Sequence, residues 1–322
     1  MTQIKTPLNE LKRVAKVLKM PLSALLMKKT AKPNIVFVTN NVTHDSVTKE
    51  VDTSEITMES KIEGNSMKSI IRVPDNYVME DPWYFCFSLD SSWTKQAVSP
   101  VWHIWKNAKV KIFAYCFGLD EDVVHWDWKI YHLDEWASLE IYEFNFNSDD
   151  SYMTVYNNFT AYVWKNAYFK NHYESTTGHL WHGITKWNVY LQWENSKADF
   201  ITKNKVLDKD ISELDINFYL EWKNSSWVII SKSVTFGWWK NVFKSKLVWD
   251  GDDTQWHIEC SEVSMWKCQI TTIPALEVNN SSSRLTHEAA VWTLEKKSIE
   301  NLMIKGFSEE EAIKFMINWI LD

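Results

Sequence analysis

Between Lys109 and Pro274 the chain alternates apolar and polar residues in short segments, each ended by a turn-like break. The segments are KVKIFAYCF (109–117), SLEIYEFNF (138–146), YMTVYNNFTAYV (152–163), NVYLQWE (188–194), LDINFYLEW (214–222), SWVIISKSVTF (226–236), VFKSKLVW (242–249), HIECSEVSM (257–265) and CQITTIP (268–274). A period of two sends successive side chains to opposite faces, the grammar of β-strands. No helical periodicity interrupts them, which restricts the chain to a sandwich, a barrel or a β-solenoid.

The breaks choose among these. Trp-Lys-Asn recurs at 105–107, 164–166, 222–224 and 239–241, and other indoles stand in similar settings: HWDWKI (125–130), DEWAS (134–138), FGWWKN (236–241) and VWDGDD (248–253). Such steps normally use glycine, which reaches positive φ without a Cβ clash. The chain has 20 Trp and only 7 Gly, where roughly 23 glycines would be ordinary for this length; the two types together come close to that figure. We therefore expect most of these tryptophans to occupy glycine positions, as if UGA codons that the source reads as glycine had been rendered as tryptophan. Trp83 and Trp93 look least glycine-like. Repeated glycine turns favour a solenoid, because each rung can double back onto the last. The competing reading is a Trp-rich carbohydrate-binding β-domain with exposed indoles.

The ends differ from the middle. Residues 7–29 carry apolar residues at helical spacing (Leu11, Val14, Leu18, Leu22, Leu25, Leu26), broken at Pro21, and residues 34–80 read as short strands. From Thr286 the chain turns helical. A helix over 296–306 closes at Gly306, and Ser308 with Glu311 forms a capping box for a last helix whose Ala312, Phe315, Met316 and Trp319 share a face. This gives three regions: 1–80 helical and short-stranded, 81–285 the β core, and 286–322 helical.

The net charge of −7 comes without a basic block, so no nucleic-acid surface is expected. The lack of a long apolar run or signal layout points to a soluble, cytoplasmic protein without a membrane role. Four cysteines (Cys86, Cys116, Cys260, Cys268) do not make a disulfide scaffold.

The stretch from His257 onward resembles the end of the SufB/SufD family, in its short form: scaffold proteins of the Suf iron–sulfur cluster assembly machinery. The resemblance rests on the Cys260-Ser-Glu step, Pro274, the run Thr286-His-Glu-Ala-Ala and the helix start Gly306-Phe-Ser-Glu-Glu-Glu-Ala. At Trp266, Trp292 and Trp319 the family shows glycine. The resemblance implies a mainly-β fold, a right-handed parallel β-helix (solenoid) with N- and C-terminal helical segments, and a scaffold rather than an enzyme. It implies a SufC-type ABC ATPase bound at the C-terminal helices and a sulfur donor protein. The chain would dimerise with itself or with a second SufB/SufD-type chain. No GxxxxGK[ST] loop is present even with Trp read as Gly, so ATP hydrolysis would belong to the partner.

A transient iron–sulfur cluster needs thiolates with imidazole or carboxylate support. The resemblance assigns Cys260 as thiolate, His287 as imidazole and Glu288 as a labile oxygen ligand. One solenoid turn would bring Cys260 and His287 together. Cys268 reads as a buried small residue. Cys86 and Cys116, in the twin contexts YFCFSL and AYCFGL, read as core thiols, or one of them as a persulfide acceptor. His179-x-x-His182 is the one other pair with metal-like spacing.

Overall fold

Asn107, Asn166, Asn195, Asn224 and Asp253 all take left-handed backbone conformations, with φ from 52 to 60°. They mark one corner repeated along the molecule. The computed structural model describes Lys12, Lys16 and residues 34–321, apart from 52–53, 149–150, 208, 238–239, 266–267 and 295. The helices expected over 7–29 therefore lie outside the described residues, save for helical Lys12 and Lys16, as do Trp238, Trp239 and Trp266.

The first strands are β1 (Asn34–Thr39), β2 (Val47–Glu50), β3 (Thr57–Glu63) and β4 (Ser66–Val73). Then come β5 (Trp83–Leu89), β6 (Lys95–Ile104), β7 (Lys109–Gly118), β8 (Val123–Leu133), β9 (Ser138–Asn147), β10 (Met153–Val163), β11 (Tyr168–Thr177) and β12 (His182–Leu191). The last strands are β13 (Lys197–Val206), β14 (Ile211–Leu220), β15 (Ser226–Phe236), β16 (Lys240–Trp249), β17 (Gln255–Met265), β18 (Gln269–Val278) and β19 (Arg284–Thr293). Helices α1 (Lys296–Ile304) and α2 (Glu309–Leu321) follow.

From β5 onward odd-numbered strands join one sheet and even-numbered strands the other, each pairing in parallel with the strand two places away. The result is a parallel β-solenoid of about 8 turns with two helices at the C-terminus. Lys197, Ser226, Gln255 and Arg284 share one column, and hydrogen bonds between successive turns link residues 29 apart. Along most of the stack, inward residues such as Phe169, Phe200, Ile229 and Ile258 fill the core, while outward ones meet solvent.

β1 pairs with β5 and β4 with β6 in parallel, so among the described residues the stack already includes Asn34–Thr39 and Ser66–Val73. The reading of Thr286 as a helix start is corrected. Arg284–Thr293 is the last strand, held in register against β17, and the helical segment begins at Lys296. The capping box forms as read: Ser308 N–H donates to Glu311 Oε2 at 2.8 Å, and Glu311 N–H to Ser308 Oγ at 3.2 Å. The packed face of α2 is different from that expected. Ala312, Ile313, Ile317, Ile320 and Leu321 meet Val234, Phe236 and Val263, leaving Phe315 and Trp319 exposed.

Two groups of indoles stand out among the described residues. Trp105, Trp136, Trp164, Trp193 and Trp222 sit exposed at the corners, and Trp136 has φ 61°. Gly251 holds the corner place, two before the left-handed residue, that Trp222 and Trp193 hold one and two turns earlier; a Cβ there would collide with the Trp222 backbone. Trp83, Trp102, Trp187, Trp227 and Trp256 instead fill the interior. The pairing of Trp83 with Trp93 is corrected: Trp83 is 1% exposed in β5, whereas Trp93 is 76% exposed at φ 65° and is among the most glycine-like positions. HWDWKI is no turn but the middle of β8, with Trp126 and Trp128 outward.

Candidate functional site

The inward columns of the odd-strand sheet are apolar along most of their width, with one polar exception. Registers place Glu143, Tyr173, Thr202, Ser231 and Cys260 in one column, and Cys116, Asn145, Ser175, Asn204, Ser233 and Glu262 in the column beside it. All eleven are buried. Burying so many polar groups requires internal partners, and these are concentrated at two levels.

At the lower level the even-strand sheet contributes charge. Lys129 Nζ lies 2.6 Å from Asp127 Oδ2 and 2.7 Å from Glu143 Oε2. Glu143 also accepts hydrogen bonds from Asn157 at 2.8 Å and Asn171 at 2.7 Å, and Asn145 donates to the Tyr173 hydroxyl at 2.8 Å. Burial, partly offset by Lys129, raises the Asp127 carboxyl to about 6. Burial works to lower the Lys129 ammonium, but the two carboxylates outweigh it and hold it above its ordinary value. Burial, with Lys129, lowers the His125 imidazole to about 3, so it is neutral. Cys116, His125, Asp127, Glu143, Asn145 and Asn157 border a cavity of about 20 Å³, room for a single water. Burial drives the Cys116 thiol well above its ordinary value.

At the upper level Asn241 donates to Ser233 Oγ at 2.7 Å and to Glu262 Oε2 at 3.0 Å, and Ser233 also donates to Glu262. Burial raises the Glu262 carboxyl to about 7. Cys260 is 1% exposed; burial, then the charges of Glu262 and Glu259, push its thiol up to about 12.

The expected ligands separate by face. Cys260 pairs with Ala289, and His287 with Ile258, on adjacent strands β17 and β19. Both point inward, a diagonal of roughly 8 Å between Cα atoms from the strand rise and spacing. The His287 Nε2 atom is buried without a hydrogen-bond partner. Glu288 pairs with Glu259 and is exposed on the outer face. The structure thus brings Cys260 and His287 together and leaves Glu288 apart.

Among the other candidates, Cys268 is half-buried and Cys86 is fully buried on the outward side of β5 beneath an aromatic cluster. His179 Nδ1 lies 3.3 Å from Asp210 Oδ1, while His182 opens β12. Among the described residues no three His, Cys, Asp or Glu side chains enclose a single ion, and no helix is long and apolar enough to cross a membrane.

Sequence reasoning missed both polar levels. The available signal was HWDWKI, where His125, Asp127 and Lys129 sit at every second position, as only one face of a strand can place them. The stacked indoles also weigh against a sugar-binding surface. Trp193 lies 5.3 Å from both Trp164 and Trp222, with rings stacked, so neither face of the middle indole is free for a sugar ring.

Residues 94–319 match the family model described as SUF system FeS cluster assembly, SufBD core domain. The chain is similar to an iron-sulfur cluster assembly SufBD family protein of Methanocaldococcus jannaschii, 21% identical over 83% of this chain and 84% of the relative. A second such protein, from Pyrococcus horikoshii, is 35% identical over 22% of each chain. A third, from Archaeoglobus fulgidus, is 29% identical over 29% of this chain and 26% of the relative.

Proposed function

The chain belongs to the SufBD family of iron–sulfur cluster assembly proteins, and we propose that it is a scaffold on which a nascent cluster is built at Cys260 and His287. The observation that carries this reading is the pair of buried polar columns running from Cys116 to Cys260 and Glu262. A core built for stability alone would fill those columns with apolar side chains, as the neighbouring column does with Phe200, Ile229 and Ile258.

Cys116 is the sulfur acceptor in this reading, and Cys86, on the other face, is a packing residue. The Cys116 thiolate attacks the terminal sulfur of a donor protein's persulfide, the donor S–S bond breaks, and the donor thiolate leaves. Cys116 then carries the sulfane sulfur at one end of the polar columns, and Cys260 stands at the other. Glu288, on the outer face, is available to iron arriving from outside or to a second chain at the open edge of β19. ATP hydrolysis comes from an ABC-type ATPase docked on α1 and α2, and the finished cluster passes to an acceptor in the cytoplasm.

We also read the exposed corner tryptophans, with Trp93 and Trp136 foremost, as glycine positions of the native protein, consistent with UGA recoding. The positive φ of Trp93 and Trp136, and the glycine at 251 in the place that Trp193 and Trp222 hold, support this.

The test is anaerobic reconstitution of the full chain with iron and sulfide. Cys260→Ser should lose cluster absorbance, His287→Ala should weaken it, and Cys268→Ser should leave it unchanged. A Cys260→Ser protein that holds a cluster like the parent would refute the site. Mass spectrometry after exposure to a donor persulfide should find the added sulfur on Cys116.

A further inference from the structure

We infer that the small cavity beside Cys116 is the seat of the sulfane sulfur, and that His125 holds that sulfur there through Nδ1. This rests on the reading of Cys116 as the sulfur acceptor, and adds to it a place and a positioning residue.

The cavity lies between the two sheets. Cys116 on β7 borders it from one side, His125 and Asp127 on β8 from the other. In the stack Cys116 stands between Phe87 and Asn145, and His125 between Gln96 and Val155. Phe87, Phe144 and Val155 supply apolar walls, and the Phe87 ring centre is 5.0 Å from that of His125. A volume of about 20 Å³ holds one heavy atom the size of a water. A sulfane sulfur is a single heavy atom set about 2.05 Å from its cysteine sulfur. It fits this space, and nothing much larger does.

The lining asks for a polar occupant. His125 Nδ1, Asp127 Oδ1 and Asn157 Oδ1 are all buried without a hydrogen-bond partner, in residues only 2%, 8% and 3% exposed. The opposite ends of two of them are engaged: Asp127 Oδ2 lies 2.6 Å from Lys129 Nζ, and Asn157 donates to Glu143 at 2.8 Å. Buried polar atoms left unsatisfied are costly and uncommon, and here three share one cavity with a thiol. A persulfide supplies what they lack. Its S–H donates to a carboxylate or amide oxygen, and its terminal sulfur accepts from an imidazole N–H. Burial, with Lys129, lowers the His125 imidazole to about 3, so it stays neutral and keeps one N–H to give.

Loading is an exchange with no net oxidation. Cys116–SH and a donor R–S–SH give Cys116–S–SH and R–SH. The bond from Cys116 to the terminal sulfur forms as the donor S–S bond breaks, and the Cys116 proton ends on the donor sulfur. The sulfur enters when the interior opens. Once the stack closes, the sulfane sulfur is shut away from thiols and other nucleophiles.

The experiment loads the full chain with glutathione persulfide and then adds cyanide, which removes sulfane sulfur as thiocyanate. Peptide mass spectrometry follows each cysteine. In the parent, the sulfur on Cys116 should outlast any on half-buried Cys268. Val155→Met fills the cavity, so Cys116 should take no sulfur although its thiol is alkylated normally after denaturation. Val155→Ile, which adds one methylene, serves if the Met variant does not fold. His125→Leu should speed loss of the Cys116 sulfur about tenfold, the worth of one hydrogen bond to a buried group. His125→Asn, which returns an N–H near the Nδ1 position, should restore slow loss. A merely structural His125 would show in the unloaded protein, yet His125→Leu there should melt no lower than the parent, because Nδ1 has no partner to lose. Parent-like loading of the Val155 variant would leave the cavity to water only and overturn the seat. Parent-like loss from His125→Leu would overturn the role of His125. Either result, with the parent still loading Cys116, leaves the acceptor reading standing; a parent that takes no sulfur on Cys116 would overturn both.

Discussion

Cys116 and Glu262 occupy the same inward column of the solenoid, five strand-to-strand steps apart within one sheet. At the usual strand spacing that is roughly 24 Å along the axis. The residues between them, Asn145, Ser175, Asn204 and Ser233, are all polar and all buried. A polar line of this length inside a β-stack is the structural signature of this chain.

Thiol chemistry should follow this burial. Cys86, Cys116 and Cys260 are buried, and burial raises all three thiols; Cys268 is half-buried. The thiolate is the nucleophile, so iodoacetamide at neutral pH should label Cys268 first. Cys116 and Cys260 should follow slowly in the native protein, at the rate at which the interior opens to admit sulfur and iron, and Cys86 only after denaturation, as read by peptide mass spectrometry. Rapid labelling of native Cys116 would show that the interior is open to solvent.

The buried ion cluster sets a pH dependence. Asp127 is raised from 3.8 to about 6, chiefly by burial. A carboxyl whose folded pKa lies above its unfolded value contributes stability that is full below the unfolded value and is lost as pH rises through the folded one. Stability should therefore decline from about pH 4 to pH 6 by an amount that Asp127→Asn removes, measured as the difference between the two proteins in denaturant unfolding. Lys129→Met, which strands two buried carboxyl groups, should cost about 3–5 kcal/mol at pH 7.

Much of the solenoid was legible because its inward positions are mostly apolar, so alternation survives in strands such as β10 and β14. It failed where the interior is polar. β13 reads KADFITKNKV, with Thr202 and Asn204 inward, and β8 carries His125, Asp127 and Lys129 inward. Neither shows apolar alternation, and neither was recognised as a strand. The residues that hid these strands are those that line the polar columns, so the missed elements and the missed site have one cause. β19 was misread for another reason: Glu288, Ala289 and Ala290 favour helix, and pairing with β17 overrides that preference.

The tryptophans give a two-sided test. Trp136 interrupts a corner column otherwise occupied by Asn107, Asn166, Asn195 and Asn224, in which Asn195 donates to Asn166 at 2.9 Å. A bulky residue at positive φ costs roughly 1–2 kcal/mol, so Trp136→Asn should stabilise the protein by about 1 kcal/mol. Trp83→Ala, emptying a site in the core, should destabilise it by about 3–5 kcal/mol. Peptide sequencing of the protein from its natural source should read glycine at 93 and 136 and tryptophan at 83. Tryptophan at all three would end the recoding reading.

The C-terminal helices supply the last prediction. Their buried face, through Ile299, Ala312 and Leu321, holds them against β15 and β17. The outer face leaves Met303, Ile304, Phe307, Phe315 and Trp319 exposed, with Ile304 at 84% and the Phe307 and Phe315 rings 5.8 Å apart. Apolar side chains grouped around one helix turn mark a surface that another protein covers. If the ABC-type ATPase docks there, Ile304→Asp combined with Phe315→Asp should abolish its co-purification with the chain. Those side chains do not support the core, so the melting temperature should stay within a few degrees of the parent. Removing 296–322 should have the same effect on binding but also uncover Phe236 and Val263, lowering stability. Normal co-purification by the double Asp variant would place the ATPase on another surface and leave this patch to a different partner.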